Sequence, residues 1–339
     1  MESSRRCVVI VNPTAGREKA YRYLPQLASV LSDLYDDVTI KLTQRGGDAK
    51  EFAQYAAERG RDIFCMGGDG TINEIINGMV PVQSRSCFGF VPFGTVNDLA
   101  RALRLPLNPE KAIDSFKRAK RTTIDVGRIN DRYFINVAAA GLIPEAVSEV
   151  SIREKALFGS LAYYMKGFQA LPRQQSYRFV IAEENGTVTR VSSPLIAAML
   201  TDSAGSFRNL VPPSEQIKGV IKLALFHDFQ WIPAIREAPK LLTGLQLGPE
   251  ILTVIDIKKA HISIEDGEEL WTNIDGDKGP AFPIDLEILP ERLPVFIPHE
   301  DDAEETSLFP HIWENVPPKL KLPWSEENKI EKLDYSKSF

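Results

Sequence analysis

Residues 62–78 read Asp-Ile-Phe-Cys-Met-Gly-Gly-Asp-Gly-Thr-Ile-Asn-Glu-Ile-Ile-Asn-Gly, and they constrain the fold more than any other stretch. Ile63 to Met66 is a short apolar run of the kind that forms a buried strand. Ile72, Ile75, Ile76 and Met79 then recur at helical spacing. Between them lie Gly67, Gly68 and Gly70. A strand, a glycine turn and a helix start aim backbone N–H groups and a positive helix end at an anion. Glycine lets the backbone come close to a phosphate because no Cβ intervenes. Asp69 sits inside the turn, and its carboxylate repels phosphate unless a cation stands between them. The combination points to a metal–nucleotide site. No Gly-Lys-Ser/Thr follows, so this is not a Walker A loop. Asn73 occupies the third glycine's place, so it is not a dinucleotide fingerprint. Taken alone, the stretch is equally compatible with an ordinary strand–helix turn.

Other turns of the same kind precede and follow it. Residues 7–12 form a strand ending in Asn12, Pro13, Thr14, Ala15 and Gly16, with a helix to Ser32. Val38 to Thr43 alternates like a second strand, and Gly46-Gly47-Asp48 opens a helix. A fourth strand, Cys87 to Val91, runs into Pro92-Phe93-Gly94-Thr95-Val96-Asn97-Asp98 and a short helix. A helix over 109–119 and a fifth strand, Thr122 to Val126, follow. Strands alternating with helices predict a parallel sheet covered on both faces, whose ligands sit beyond the carboxyl ends of the strands. All these turns follow strands, so they gather at one edge.

From about residue 129 the pattern changes. Tyr133 to Ala140 reads as a strand and 157–171 as a helix carrying Tyr163, Tyr164 and Phe168. Strands then dominate: 177–181 and 187–191 meet across Asn185-Gly186, and 195–201, 220–226, 252–258, 261–265, 270–274 and 284–289 continue, with one helix over 233–245. This predicts a sandwich-like second domain. The expected division is 1–128, 129–299 and a C-terminal tail, 300–339, partly docked. That tail holds ten acids and five bases, nearly all of the net charge of −6, which leaves the body close to neutral and argues against nucleic acid as a partner. No signal peptide is visible, and no apolar run approaches the roughly 20 residues of a spanning helix. Cys7, Cys65 and Cys87 each fall in a strand, which predicts buried reduced thiols and a cytoplasmic setting. Lys111, Lys117, Arg118, Lys120 and Arg121 crowd a helix end, either as a solvated face or as an attraction to anionic lipid.

The run of motifs Asn12–Gly16, Thr43 before Gly47-Asp48, Gly67–Glu74, Pro92–Asp98, Asp125-Val126-Gly127, Asn136 to Gly141 and Asp275-Gly276-Asp277 resembles the diacylglycerol kinase catalytic-domain superfamily, in particular its bacterial soluble lipid kinases. The resemblance implies a three-layer α/β nucleotide-binding domain like those of NAD kinases and phosphofructokinases, followed by a β-sandwich-like domain. It implies ATP and Mg²⁺ as cofactors and a lipid substrate met at the membrane surface without a transmembrane segment; a homodimer is compatible with it. By position, Asn12, Pro13, Thr14, Ala15, Gly16, Thr43, Gly67, Gly68, Asp69, Gly70, Thr71, Ile72, Asn73, Glu74, Thr95 and Asp125 correspond to the nucleotide site. Asp69 and Asp98 correspond to carboxylates facing Mg²⁺. Asp275 corresponds to the general base, with Asp277 positioning it or sharing its role, though the family usually carries Glu where Asp277 stands. Lys218 stands where many bacterial members place an aspartate that ligates a structural Mg²⁺, which implies that this chain lacks that metal.

Phosphoryl transfer needs positioning, a cation bridging phosphates and a base beside the attacking hydroxyl, and the residues supply these types. The leading expectation is therefore an ATP-dependent lipid kinase. The alternatives are a kinase of a soluble acceptor such as NAD and a non-catalytic nucleotide- or lipid-binding regulator.

Overall fold

Four short apolar runs become parallel strands, and side-chain alternation along them explains why both faces are covered. In the computed structural model the described residues are 5–16, 20–94, 97–141, 176–200, 219–227, 252–265, 267 and 269–303. Strands β1 (Arg6–Val11), β2 (Asp37–Leu42), β3 (Asp62–Gly67) and β4 (Phe88–Pro92) lie in the order β2-β1-β3-β4, all parallel. Between and after them run α1 (Ala20–Ser32), α2 (Asp48–Glu58), α3 (Asp69–Met79), α4 (Asp98–Ala102) and α5 (Pro109–Ser115). Val8, Ile10, Ile63, Cys65, Phe88 and Phe90 pack with the apolar stripes of α2 and α3. Cys7, Val9, Val11, Phe64, Met66 and Val91 point the other way, toward α1 and α5. The result is three layers. The three cysteines are free and buried, and burial pushes Cys7 and Cys87 up to about 12 and Cys65 higher still.

The second half is built from β5 (Lys120–Ile129), β6 (Arg132–Phe134), β7 (Val137–Gly141), β8 (Tyr177–Glu183), β9 (Val188–Ser193), β10 (Leu195–Met199), β11 (Ile221–Phe226), β12 (Leu252–Ile257), β13 (Lys259–Ile264), β14 (Trp271–Ile274), β15 (Asp277–Ala281) and β16 (Ile284–Ile297). One antiparallel sheet runs β12-β11-β10-β7-β14-β15. It packs on β16, β13 and β8 through Ala138, Ala140, Ile196, Leu223 and Ile274 on one side and Phe179, Ile181, Ile262 and Leu286 on the other. This is the β-sandwich-like part expected from the strand-rich sequence. The first sheet continues β4-β16-β13-β8-β9, so it spans both halves.

Three expectations about single strands are corrected. The strand at 122–126 is not a fifth member of the parallel sheet: β5 is antiparallel to β16, and β16 takes the place beside β4. The run 133–140 breaks at Ile135 and Asn136, because the N–H groups there turn to a carboxylate, described below. Strand β16 passes through Pro290 and Pro294 instead of stopping at Leu289, with a register shift between Leu289 and Leu293 and Glu291 at φ 47°. Strand β15 was not foreseen, since Gly279 and Pro280 are poor strand formers; it lies at a sheet edge, where proline is tolerated.

The basic residues after α5 are paired. Lys117 binds Asp114 at 3.0 Å, Arg118 binds Asp301 and Asp302 at 3.4 and 2.7 Å, and Arg121 binds Asp62. Met1–Glu305 form one unit, and Thr306–Phe339 a second that lies outside the described residues, as do the helices expected at 157–171 and 233–245. Among the described residues no helix is long and apolar enough to cross a membrane.

Helix α3 is pressed against α2 at Gly78, where an added Cβ would lie 2.3 Å from the Lys50 carbonyl oxygen. Gly78→Ala is expected to destabilise the fold by about 1–3 kcal/mol in urea denaturation. Wild-type stability would mean that the two helices can part freely.

Candidate active site

The turns after β1, β2, β3 and β4 meet because strand pairing continues into them. The Asn12 N–H donates to the Met66 carbonyl at 3.0 Å, the Thr43 N–H to Val11 at 3.0 Å, and the Phe93 N–H to Gly67 at 3.3 Å. Side chains then tie the turns together. Asn12 Nδ2 donates to Thr71 Oγ1 at 3.1 Å, while Asn12 Oδ1 accepts from the Thr14 N–H and hydroxyl at 3.1 and 2.9 Å. Glu74 Oε2 accepts the Gly47 N–H at 3.0 Å, which anchors the turn after β2 to α3. Gly68 and Gly94 face each other, a Cβ on the first lying 3.5 Å from the second's Cα. Gly16 takes φ +60°, the left-handed region, with a Cβ position 3.1 Å from the Phe93 ring.

Asp69 opens α3. A Cβ on Gly94 would stand 2.5 Å from Asp69 Oδ2 and 2.8 Å from Asn97 Oδ1, so the carboxylate is seated against bare backbone. Asn97 Oδ1 is buried without a hydrogen-bond partner among the described residues, and Asp98 follows it at the start of α4. Among the described residues no group of three His, Cys, Asp or Glu could hold a metal. Mg²⁺ takes one or two carboxylates and completes its shell with waters and substrate phosphates, and the Asp69 carboxylate and the unfilled Asn97 amide oxygen, which meet at the Gly94 backbone, are hard oxygens of the kind it takes.

Asp275 comes from the other half, at the turn between β14 and β15, with φ 49°. Its Oδ2 accepts from the Ile135 N–H at 3.0 Å and from Asn73 Nδ2 at 3.3 Å; Oδ1 accepts from the Asn136 and Val137 N–H groups at 3.1 and 3.0 Å. Two donors reach each oxygen and hold the carboxylate in place. Burial nevertheless pushes the carboxyl up from 3.8 to about 6, against the pull of all four. The residue as a whole keeps partial exposure. Asn73 lies one helical turn after Asp69 on α3, a spacing of about 5–6 Å between Cβ atoms. The two carboxylates thus converge from opposite halves of the chain.

Not every residue expected at the site points into it. The Ile72 side chain is in the core beneath α3, and Glu74 is occupied with Gly47. Asp125 accepts from the Gly219 and Glu291 N–H groups at 2.7 and 2.8 Å, which clasps the bend of β16. Asp277 is exposed, and backbone N–H groups position Asp275 in its place. Thr95 and Lys218 lie outside the described residues. Sequence reasoning missed Asn77, which binds both Asn73 and Tyr133; the signal available was a pair of asparagines four apart on an otherwise apolar helix.

Glycine turns at one sheet edge, with a carboxylate delivered from a second domain, define a phosphoryl-transfer enzyme. Residues 6–129 match the diacylglycerol kinase catalytic domain, and 137–297 match the YegS C-terminal NAD kinase beta sandwich-like domain. A curated protein of Bacillus subtilis (strain 168) named diacylglycerol kinase is 33% identical over 87% of this chain and 97% of its own length. Another of that name, from Staphylococcus aureus (strain MRSA252), is 32% identical over 92% of this chain and 98% of its own. A solved structure from Bacillus anthracis str. Sterne shares the fold with a TM-score of 0.77 at 24% identity, covering 89% of this chain and 97% of that one. The chain belongs to the diacylglycerol kinase family, and it is a kinase.

Gly94→Ala is expected to displace Asp69 and lower phosphoryl transfer about a hundredfold, with little loss of thermal stability. Full activity in that variant would show that the contact between Asp69 and the Gly94 backbone has no catalytic weight.

Proposed function

We propose that this chain transfers the γ-phosphate of ATP to the hydroxyl of a diacylglycerol-like lipid, with Asp275 as general base. The observation that carries the reading is the bond between Asn73 on the glycine-turn helix and Asp275 on the β14–β15 turn. It brings a carboxylate from the second half within a helical turn of the anion-facing end of α3. The names of the curated relatives supply the substrate class.

In this reading ATP lies on 1–128 and the lipid is met by 129–299. The turns Asn12–Gly16 and Gly67–Glu74, with Thr43 and Thr95, hold the nucleotide, and the positive N-terminal end of α3 faces its phosphates. Asp69 and Asp98 would hold Mg²⁺, which would offset negative charge on the phosphates. The lipid hydroxyl gives its proton to Asp275 as its oxygen bonds to the γ-phosphorus. The bond from that phosphorus to the bridging oxygen breaks, and ADP leaves.

A carboxyl pushed up to about 6 sets the pH dependence. The base works only when ionised, so kcat/KM is expected to rise with pH through about 6 and level off above it. Transfer of labelled phosphate from ATP to a lipid panel in micelles is the test, with Asp275→Asn expected to lose at least about a hundredfold. Equal labelling by that variant rejects the base. Label on NAD with none on any lipid replaces the lipid by a soluble acceptor.

A further inference from the structure

The Asn73 side chain could sit either way round in its pocket, because its oxygen and nitrogen ends have nearly the same shape; only its partners decide. One way, Nδ2 donates to Asp275. The other way, an amide oxygen stands 3.3 Å from a carboxylate oxygen, two acceptors in repulsion. Asn73 and Asn77 are 5% and 6% exposed.

We infer that Asn77 is the positioning residue that settles this choice, and that it does so for the sake of Asp275. Its own orientation is dictated by backbone. Oδ1 accepts the Tyr133 N–H at 3.0 Å, and Nδ2 donates to the Tyr133 carbonyl at 3.0 Å; the reversed amide would satisfy neither. With that end fixed, the second Nδ2 hydrogen is shared between Asn73 Oδ1 at 3.1 Å and the Asn73 carbonyl at 3.0 Å. Asn73 Oδ1 is thereby turned toward Asn77, and Nδ2 is left for Asp275. The order passes from Tyr133 to Asn77 to Asn73 to Asp275, one donor at a time. The last donor favours the ionised carboxylate, so the chain of bonds holds the base in its proton-accepting form.

The inference rests on the reading of Asp275 as base. The other ionisable groups on the elements that meet Asp275 are Asp69 and Glu74 on α3, Arg132 and Tyr133 on β6, and Asp277 and Lys278 on the β14–β15 hairpin. Glu74 is held by the Gly47 N–H, and Lys278 Nζ lies 3.7 Å above the Trp271 ring. None of them is bonded to Asn77 except Tyr133, through its backbone, so substitution of Asn77 leaves their charges in place.

The test is the pH profile of kcat/KM for a lipid acceptor in micelles, from pH 5 to 9, for the wild type, Asn77→Ser and Asn77→Ala. A serine hydroxyl both donates and accepts, so it serves the backbone of Tyr133 without dictating which way Asn73 faces. Both variants are expected to shift the acid limb upward by about one pH unit, losing up to about tenfold at pH 6 relative to pH 8. A uniform loss at every pH, in whichever variant folds, overturns the inference and leaves Asn77 a structural residue. Asp275→Asn run alongside separates the two readings. If it keeps the acid limb, the base reading has failed. If it abolishes transfer while Asn77→Ser retains the wild-type limb, the base stands and the positioning role falls.

Discussion

The site depends on one carboxylate and the four N–H groups that surround it. Three of those groups, from Ile135, Asn136 and Val137, belong to a stretch where the chain stops being a strand and starts again. Left without acceptors in a half-buried place, they would each cost about 1–3 kcal/mol. Asp275 supplies the acceptor, and β6 and β7 can therefore change direction there. The same groups hold the carboxyl still and favour its charge, while enclosure disfavours it. The balance leaves Asp275 near 6, well above an ordinary aspartate and close to the range useful for taking a proton.

Helix α3 serves both halves because three of its polar residues fall on one stripe. Asp69, Asn73 and Asn77 are each four residues apart, about 6 Å of helix per step. They meet in turn the bare backbone at Gly94, the carboxylate of Asp275 and the backbone of Tyr133. Ile72, Ile75, Ile76 and Met79 fill the rest of the helix and fasten it to the sheet. A helix so anchored transmits position well, since its side chains cannot move without unpacking the core.

Much of this was legible in the residues. Strand-then-glycine turns at Asn12–Gly16, Gly46-Gly47, Gly67–Gly70 and Gly94 implied a common edge, and the structure joins them by Asn12 to Thr71 and Gly47 to Glu74. The convergence of Asp275 with α3, some 200 residues away in sequence, came from motif order rather than from local pattern. What stayed hidden had long-range causes. Strand β5 could not be placed without knowing that the last strand returns to β4. Prolines 290 and 294 argued for an end to β16 because a sequence does not reveal that β5 will pair with it around a bulge. Asp125 was assigned to the site by its position in the run of motifs, which does not reveal that its carboxylate accepts two backbone N–H groups at the bend of β16. Asn77 was passed over because a polar residue on an apolar helix has meaning only once its partner at Tyr133 is seen.

Strand β16 has a consequence for how the molecule comes into being. The seat beside β4 in the nucleotide-binding sheet is filled by residues near 295, after every strand of the second half has been made. The first half therefore leaves the ribosome with β4 open along one side, and the pairing that closes it spans some two hundred residues. Such distant pairing is slow to form, and an open strand is prone to find foreign partners meanwhile. The two halves are successive in the gene but are completed together, by the last strand among the described residues.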